Sequence, residues 1–239
     1  MKDIKVINGD CRNILPKLSD ETFDLILTDP PYNTGMNEKS SSTRLKNFFA
    51  DKYSKQEYRH LVEFCANEFY RLLKNDKAIY IFINWKSLGV WIEYLEKAGF
   101  KVKNCIVWDK VVHGLNYQNY AYTHEFIIFA TKGKFFPKNK GSFSDRRNKY
   151  FTDIWHFQRN VDNDKNSIHE TIKPVELLKI ILRHSTDEGD IVLDPFAGTG
   201  TTGVACYQSN RKAILIEKEK KYYDFIIKQL QQTKLDKFF

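Results

Sequence analysis

Short apolar runs separated by stretches with helical spacing constrain this chain more than any other feature. Segments 5–8, 23–28, 78–83, 103–108, 125–130, 191–193 and 213–216 have strand character, and several are apolar without alternation. A strand covered on one face alternates apolar and polar residues; one covered on both need not. The pattern predicts an α/β fold: a mostly parallel sheet between helical layers. Ser54 and Glu57 form a capping box ahead of Tyr58, Leu61, Val62, Cys65, Phe69, Leu72 and Leu73, which share one helical face. Further helices are expected over 87–98, stopping at Gly99, after Pro174, and from 220 towards 232. Segments 103–108 and 125–130 have no helix between them and are expected to pair as an antiparallel hairpin at one sheet edge.

With 239 residues the chain suits one domain, 1–239. Hydrophobic residues at 42% exclude a disordered chain, and no apolar run is long enough to span a bilayer. Charges at Lys2, Asp3 and Lys5 speak against a signal peptide, so the cytoplasm is the expected compartment. Cys11, Cys65, Cys105 and Cys206 include no Cys-x-x-Cys pair, which argues against disulfides and a cysteine-built metal site; no metal is expected. The net charge is +8, and 132–150 holds seven cations (Lys132, Lys134, Lys138, Lys140, Arg146, Arg147, Lys149) against Asp145 alone. Phe135, Phe136, Phe143 and Tyr150 lie among them, a mixture suited to phosphate and base contacts. A solvated loop gives the same pattern. Segments 33–53 and 132–170 lack helical spacing; the first is expected to be mobile.

Ligands of open parallel sheets bind beyond the carboxyl ends of strands. Segment 191–193 runs into Asp194, Pro195, Phe196, Ala197, Gly198, Thr199, Gly200, Thr201, Thr202 and Gly203, where glycines let backbone approach a ligand and a helix presents free amides. Segment 213–216 ends in Glu217, placed to accept hydrogen bonds from ribose hydroxyls. Together they indicate a nucleoside-containing cofactor. The exit of 23–28 is Asp29, Pro30, Pro31, Tyr32. Two prolines remove two backbone donors, leaving carbonyls and the Asp29 carboxylate as acceptors for an amino group. Tyr32 offers a face on which a planar base could stack.

This pair of motifs, acidic-prolyl corner first and glycine turn last, resembles the beta class of amino-directed DNA methyltransferases. Asp109 and Lys110 after Trp108, Glu125 after His124, Trp155 after Ile154, and His169 to Pro174 bring the resemblance closest to the MboII-like adenine enzymes. It implies a Rossmann-like, seven-stranded methyltransferase sheet with circularly permuted motif order. It also implies S-adenosyl-L-methionine held around Asp194 to Thr202, with Phe196 against it, Glu217 on its ribose, Asp10 and Cys11 near its adenine, and His169 and Lys173 near its methionine end. S-adenosyl-L-homocysteine would be the product. Asp29, Pro30, Pro31 and Tyr32 would receive adenine flipped from duplex DNA, with 132–166 as the target-recognition insert and loop 33–53 closing over the base. Arg146, Arg147 and Gln158 would reach base edges. A second copy of the chain and a companion restriction endonuclease are partners the resemblance leaves open; a membrane is not expected.

Cytosine C5 chemistry needs a thiol, usually beside proline, and the chain has no Pro-Cys dipeptide. Cytosine N4 transfer uses the same geometry, though serine is commoner than aspartate at the first motif position in that branch. An NAD-type oxidoreductase would leave 29–32 without a task, and a non-catalytic nucleic-acid module would explain the basic segment alone.

Overall fold

The structure is a computed structural model that describes residues 3–33, 53–111, 120–138, 152–158 and 172–235. One sheet carries β1 (Ile4–Asn8), β2 (Phe23–Thr28), β3 (Leu73–Ile83), β4 (Lys101–Asp109), β5 (His124–Lys132), β6 (Ile154–His156), β7 (Ile191–Asp194) and β8 (Lys212–Glu217) in the order β1-β8-β7-β2-β3-β5-β4-β6. The seven expected strands are present and β6 is an eighth. It pairs parallel with the end of β4, placing Ile154 beside Val107 and His156 beside Asp109. The antiparallel hairpin β4–β5 forms as expected, but β6 covers its outer strand, so β4 is not the edge.

The helices are α1 (Cys11–Ile14), α2 (Lys55–Leu72), α3 (Trp85–Ala98), α4 (Val175–Ser185), α5 (Thr201–Gln208) and α6 (Lys220–Leu235). Both faces of the sheet are covered, which is why β2 is apolar throughout: Ile26 packs with Val62, Phe69 and Trp91 on one face, while Leu25 and Leu27 pack with Leu178, Ile181 and Val204 on the other. The capping box forms, with Ser54 Oγ accepting from the Glu57 amide at 3.1 Å and Glu57 accepting from the Ser54 amide at 2.7 Å. α2 passes into β3 without a turn, Leu72 ending one and Leu73 beginning the other.

β2 pairs in parallel with both β3 and β7. From β2 the chain proceeds to β3 on one side, and from β7 to β8 on the other. Their outgoing segments diverge, opening a crevice at the carboxyl ends of β2 and β7. The two motif-bearing corners flank it.

Candidate active site

Asp194 joins the corners. Its buried carboxylate accepts from Thr28 Oγ1 at 2.8 Å, Thr202 Oγ1 at 2.6 Å and the Phe196 amide at 3.2 Å. Thr28 immediately precedes Asp29, so one side chain ties the acidic-prolyl corner to the glycine turn across 166 residues of sequence. Burial pushes the Asp194 carboxyl up to about 6.

The three glycines of the motif serve different ends. Gly198 has φ of 53° and a side chain there would enter open space; Gly200 has φ of 82° and would press a Cβ within 2.8 Å of Ile226. A Cβ on Gly203 would lie 2.6 Å from Leu215, so this glycine lets α5 sit close on β8. Gly200→Ala is expected to cost about 2–4 kcal/mol, from left-handed strain plus overpacking, and Gly198→Ala about 1 kcal/mol from strain alone. Denaturant midpoints would check this; equal shifts would remove the packing role of Gly200.

α5 begins without a side-chain cap. Among the described residues its first amides, from Thr201 and Thr202, meet no carbonyl, and both residues line a cavity of about 110 Å³. Asp29, Phe82, Lys173, Asp194, Phe196, Gly198, Thr199, Thr201 and Thr202 contribute to its lining. This is room for the reacting end of a ligand rather than the whole of one. Beside it, Glu217 accepts from the Gly198 and Glu219 amides, both at 2.8 Å, and burial raises its carboxyl. One strand further out, Asp10 caps α1 and is held down to about 2 by the Arg12 guanidinium; Cys11 is buried.

At the other corner Asp29 faces a buried charge network. Tyr32 donates its hydroxyl to Asp29 Oδ1, and Lys173 Nζ lies 2.5 Å from Asp29 Oδ2. The same ammonium is 3.3 Å from Glu125 Oε2, whose other oxygen is 3.5 Å from Lys110 Nζ. Burial raises the Asp29 carboxyl despite the Lys173 charge, and it raises the Tyr32 phenol further with the two carboxylates beside it. Burial would lower Lys173 and raise Glu125, but each is outweighed by the opposite charges facing it: Lys173 stays above its ordinary range and Glu125 below. The Pro31 carbonyl accepts from Tyr58 Oη at 3.0 Å, whereas the Pro30 carbonyl accepts no hydrogen bond among the described residues.

Thus Asp29, Lys173, Asp194, Phe196, Gly198 and Thr199 to Thr202 converge, apart from Gly200, which faces Ile226. The Tyr32 hydroxyl, expected only beneath a stacking ring, is part of the ion network. Glu125 and Lys110 had no assigned role; the signal was a carboxylate heading the apolar run of β5. Lys132 requires a correction. It is buried at the far end of β5, donating to the Tyr70 carbonyl at 3.0 Å, the Leu73 carbonyl at 2.8 Å and Glu21 at 3.1 Å, so it does not reach a phosphate. Lys134 and Lys138 follow it at the end of the sheet opposite Asp29, Lys138 paired with Asp187. Lys140, Arg146, Arg147, Lys149 and His169 lie outside the described residues, as does nearly all of loop 33–53. No helix among the described residues is long and apolar enough to cross a membrane.

The DNA methylase family model matches residues 23–229. Among curated proteins, the type II methyltransferase M2.LlaDCHI of Lactococcus lactis subsp. cremoris is 32% identical, the match covering 95% of this chain and 89% of that one. M.HpaI of Haemophilus parainfluenzae is 31% identical over 95% of this chain and 74% of its own length. Among solved structures, the M1.HpyAVI–SAM complex superposes with a TM-score of 0.70 at 27% identity, covering 95% of this chain and 98% of that one.

Proposed function

The chain belongs to the N6/N4 DNA methylase family, and from that premise we propose that it methylates the exocyclic N6 of adenine in a short duplex DNA sequence, as the modification half of a restriction–modification pair. The observation that carries this reading is the Thr28–Asp194 hydrogen bond, which sets the amine-accepting corner beside the cofactor-type turn. Cytosine N4 is the alternative target, and Asp29 in place of serine favours adenine.

The donor set fits S-adenosyl-L-methionine, the ligand of the M1.HpyAVI structure. Thr199, Thr201 and Thr202 would hold its charged methionine end, Phe196 would pack on it and Glu217 would take its ribose hydroxyls. When bound, it supplies an electrophilic methyl group on a sulfonium sulfur. We further propose that Asp10 and Cys11 lie near its adenine and that His169 serves its methionine end.

The adenine amine is a weak nucleophile because its lone pair is delocalised into the ring, and in a duplex it faces its pairing partner. Flipping brings it to Asp29 and the Pro30 carbonyl. Two acceptors holding its two hydrogens favour a pyramidal nitrogen with the lone pair directed away from them, towards the glycine turn. Pro31 and Tyr32 stiffen the corner, and the partly exposed Tyr32 ring is the surface on which the base stacks.

The expected product test uses methyl-labelled cofactor and DNA, followed by nucleoside chromatography. Label in N6-methyl-2′-deoxyadenosine supports the reading, label in N4-methyl-2′-deoxycytidine moves the target, and unlabelled DNA overturns it.

DNA approaches the end of the sheet that carries Asp29. Trp85 opens α3 there and is 58% exposed, and Tyr122, just before β5, is 59% exposed. Trp85→Ala is expected to weaken duplex binding about tenfold, whereas Lys134→Ala with Lys138→Ala leaves it unchanged. Fluorescence anisotropy checks both; the reverse ranking would place DNA at the opposite end.

A further inference from the structure

We propose that Lys173 is a positioning residue whose ammonium stands in for the substrate amine on Asp29 in the resting site, and that Glu125 is the seat to which it withdraws when the target base enters. The proposal rests on Asp29 being the amine acceptor.

Both Asp29 oxygens are engaged in the resting site, Oδ1 by the Tyr32 hydroxyl and Oδ2 by Lys173 at 2.5 Å. A base amine presents the same chemistry as the ammonium, N–H donors aimed at a carboxylate, so the two compete for one oxygen. The competition sharpens during the reaction. Methyl transfer places positive charge on the amine nitrogen, and an ammonium on the same partly buried carboxylate opposes that charge. The lysine therefore has to leave before the nitrogen can react.

A destination is already built. Glu125 Oε2 lies 3.3 Å from Lys173 Nζ, a contact that shortens as the ammonium swings off Asp29. Lys110, 3.5 Å from Glu125 Oε1, keeps that carboxylate charged and in place. The Phe82 ring lies 5.4 Å from the ammonium and the Tyr32 ring 5.7 Å, so aromatic surface borders it throughout the short displacement. Lys173 is followed directly by Pro174, the cap of α4, which fixes its backbone and leaves the movement to the side-chain torsions.

The test starts by mapping the methylated sequence in plasmid DNA from cells expressing the full chain. Duplexes of that sequence are then prepared with the methylated base's parent, or with its amine-free analogue: purine for adenine, 2-pyrimidinone for cytosine. Binding of each is titrated at pH 8.5 without cofactor. Glu125→Gln strands Lys173 on Asp29, so the preference for the amine-bearing duplex is expected to fall about tenfold, with binding of the analogue duplex retained. Lys173→Met frees Asp29, and the same preference is expected to rise by a similar factor. A purely structural role would weaken both duplexes equally. Unchanged preferences, or shifts of one sign in both variants, overturn the proposal, and Glu125→Gln alone decides it if Lys173→Met does not fold. Plasmid DNA without a methylated base would overturn the amine-acceptor reading itself, and the proposal with it.

Discussion

Asp29→Ala is expected to lower methyl transfer about a thousandfold while the protein stays folded. The loss is large because the Pro30 carbonyl alone can hold only one hydrogen of the amine and leaves the nitrogen free to remain flat and conjugated. Folding survives because Lys173 is not orphaned: Glu125 is 3.3 Å from the same nitrogen and takes up its charge. Asp29→Asn keeps one acceptor oxygen and is expected to retain more activity than Asp29→Ala. Incorporation of labelled methyl groups, with circular dichroism as the folding control, checks both variants. Full activity in Asp29→Ala would remove this residue from the reaction.

Asp194 governs stability in a pH-dependent way. Its folded carboxyl sits at about 6, above the ordinary aspartate value of 3.8, because burial disfavours the charge. The folded state therefore binds a proton more tightly than the unfolded chain. The stabilisation is complete below pH 4 and is lost as the pH rises through about 6, which makes the charged form cost about 3 kcal/mol at neutrality. Asp194→Asn abolishes this slope, so the stability of wild type minus variant is expected to fall by that amount between pH 4 and pH 7. The difference also cancels groups unaffected by the substitution, such as buried His184, which burial lowers to about 4 and which acts with the opposite sign. Asp194→Ala behaves differently: it strands the hydroxyls of Thr28 and Thr202 and the amide of Phe196 without an acceptor, and is expected to cost about 3 kcal/mol at neutral pH. Denaturant titrations across the pH range measure each effect. A flat difference curve for Asp194→Asn would mean that the carboxyl titrates normally.

The sequence carried most of the framework because its signals are local. Apolar runs marked seven strands, Ser54 and Glu57 marked the start of α2, and glycines marked the turn before α5. Both principal corners were legible for the same reason: Asp29 to Tyr32 and Asp194 to Gly203 hold their chemistry within a few consecutive residues. What escaped depends on partners distant in sequence. β6 has only three residues, of which Trp155 alone is buried, so it shows no periodicity. Glu125 meets Lys173, and Lys110 meets Glu125, only because the β4–β5 hairpin brings the start of β5 and the end of β4 to the site. Lys132 was misleading because a count of cations does not reveal which one faces inward. Its neighbours Lys134 and Lys138 are exposed, as a solvated run would be, but at the far end of the sheet.

The direct passage of α2 into β3 gives Lys132 a further consequence. The helix ends there without a glycine, and the carbonyls of Tyr70 and Leu73 accept hydrogen bonds from the lysine ammonium. An amine-acylating reagent applied to the native protein would modify exposed lysines at once but reach Lys132 only during excursions that part the helix from the strand. The rate at which that single nitrogen becomes acylated would serve as a clock for the opening of the molecule's seam.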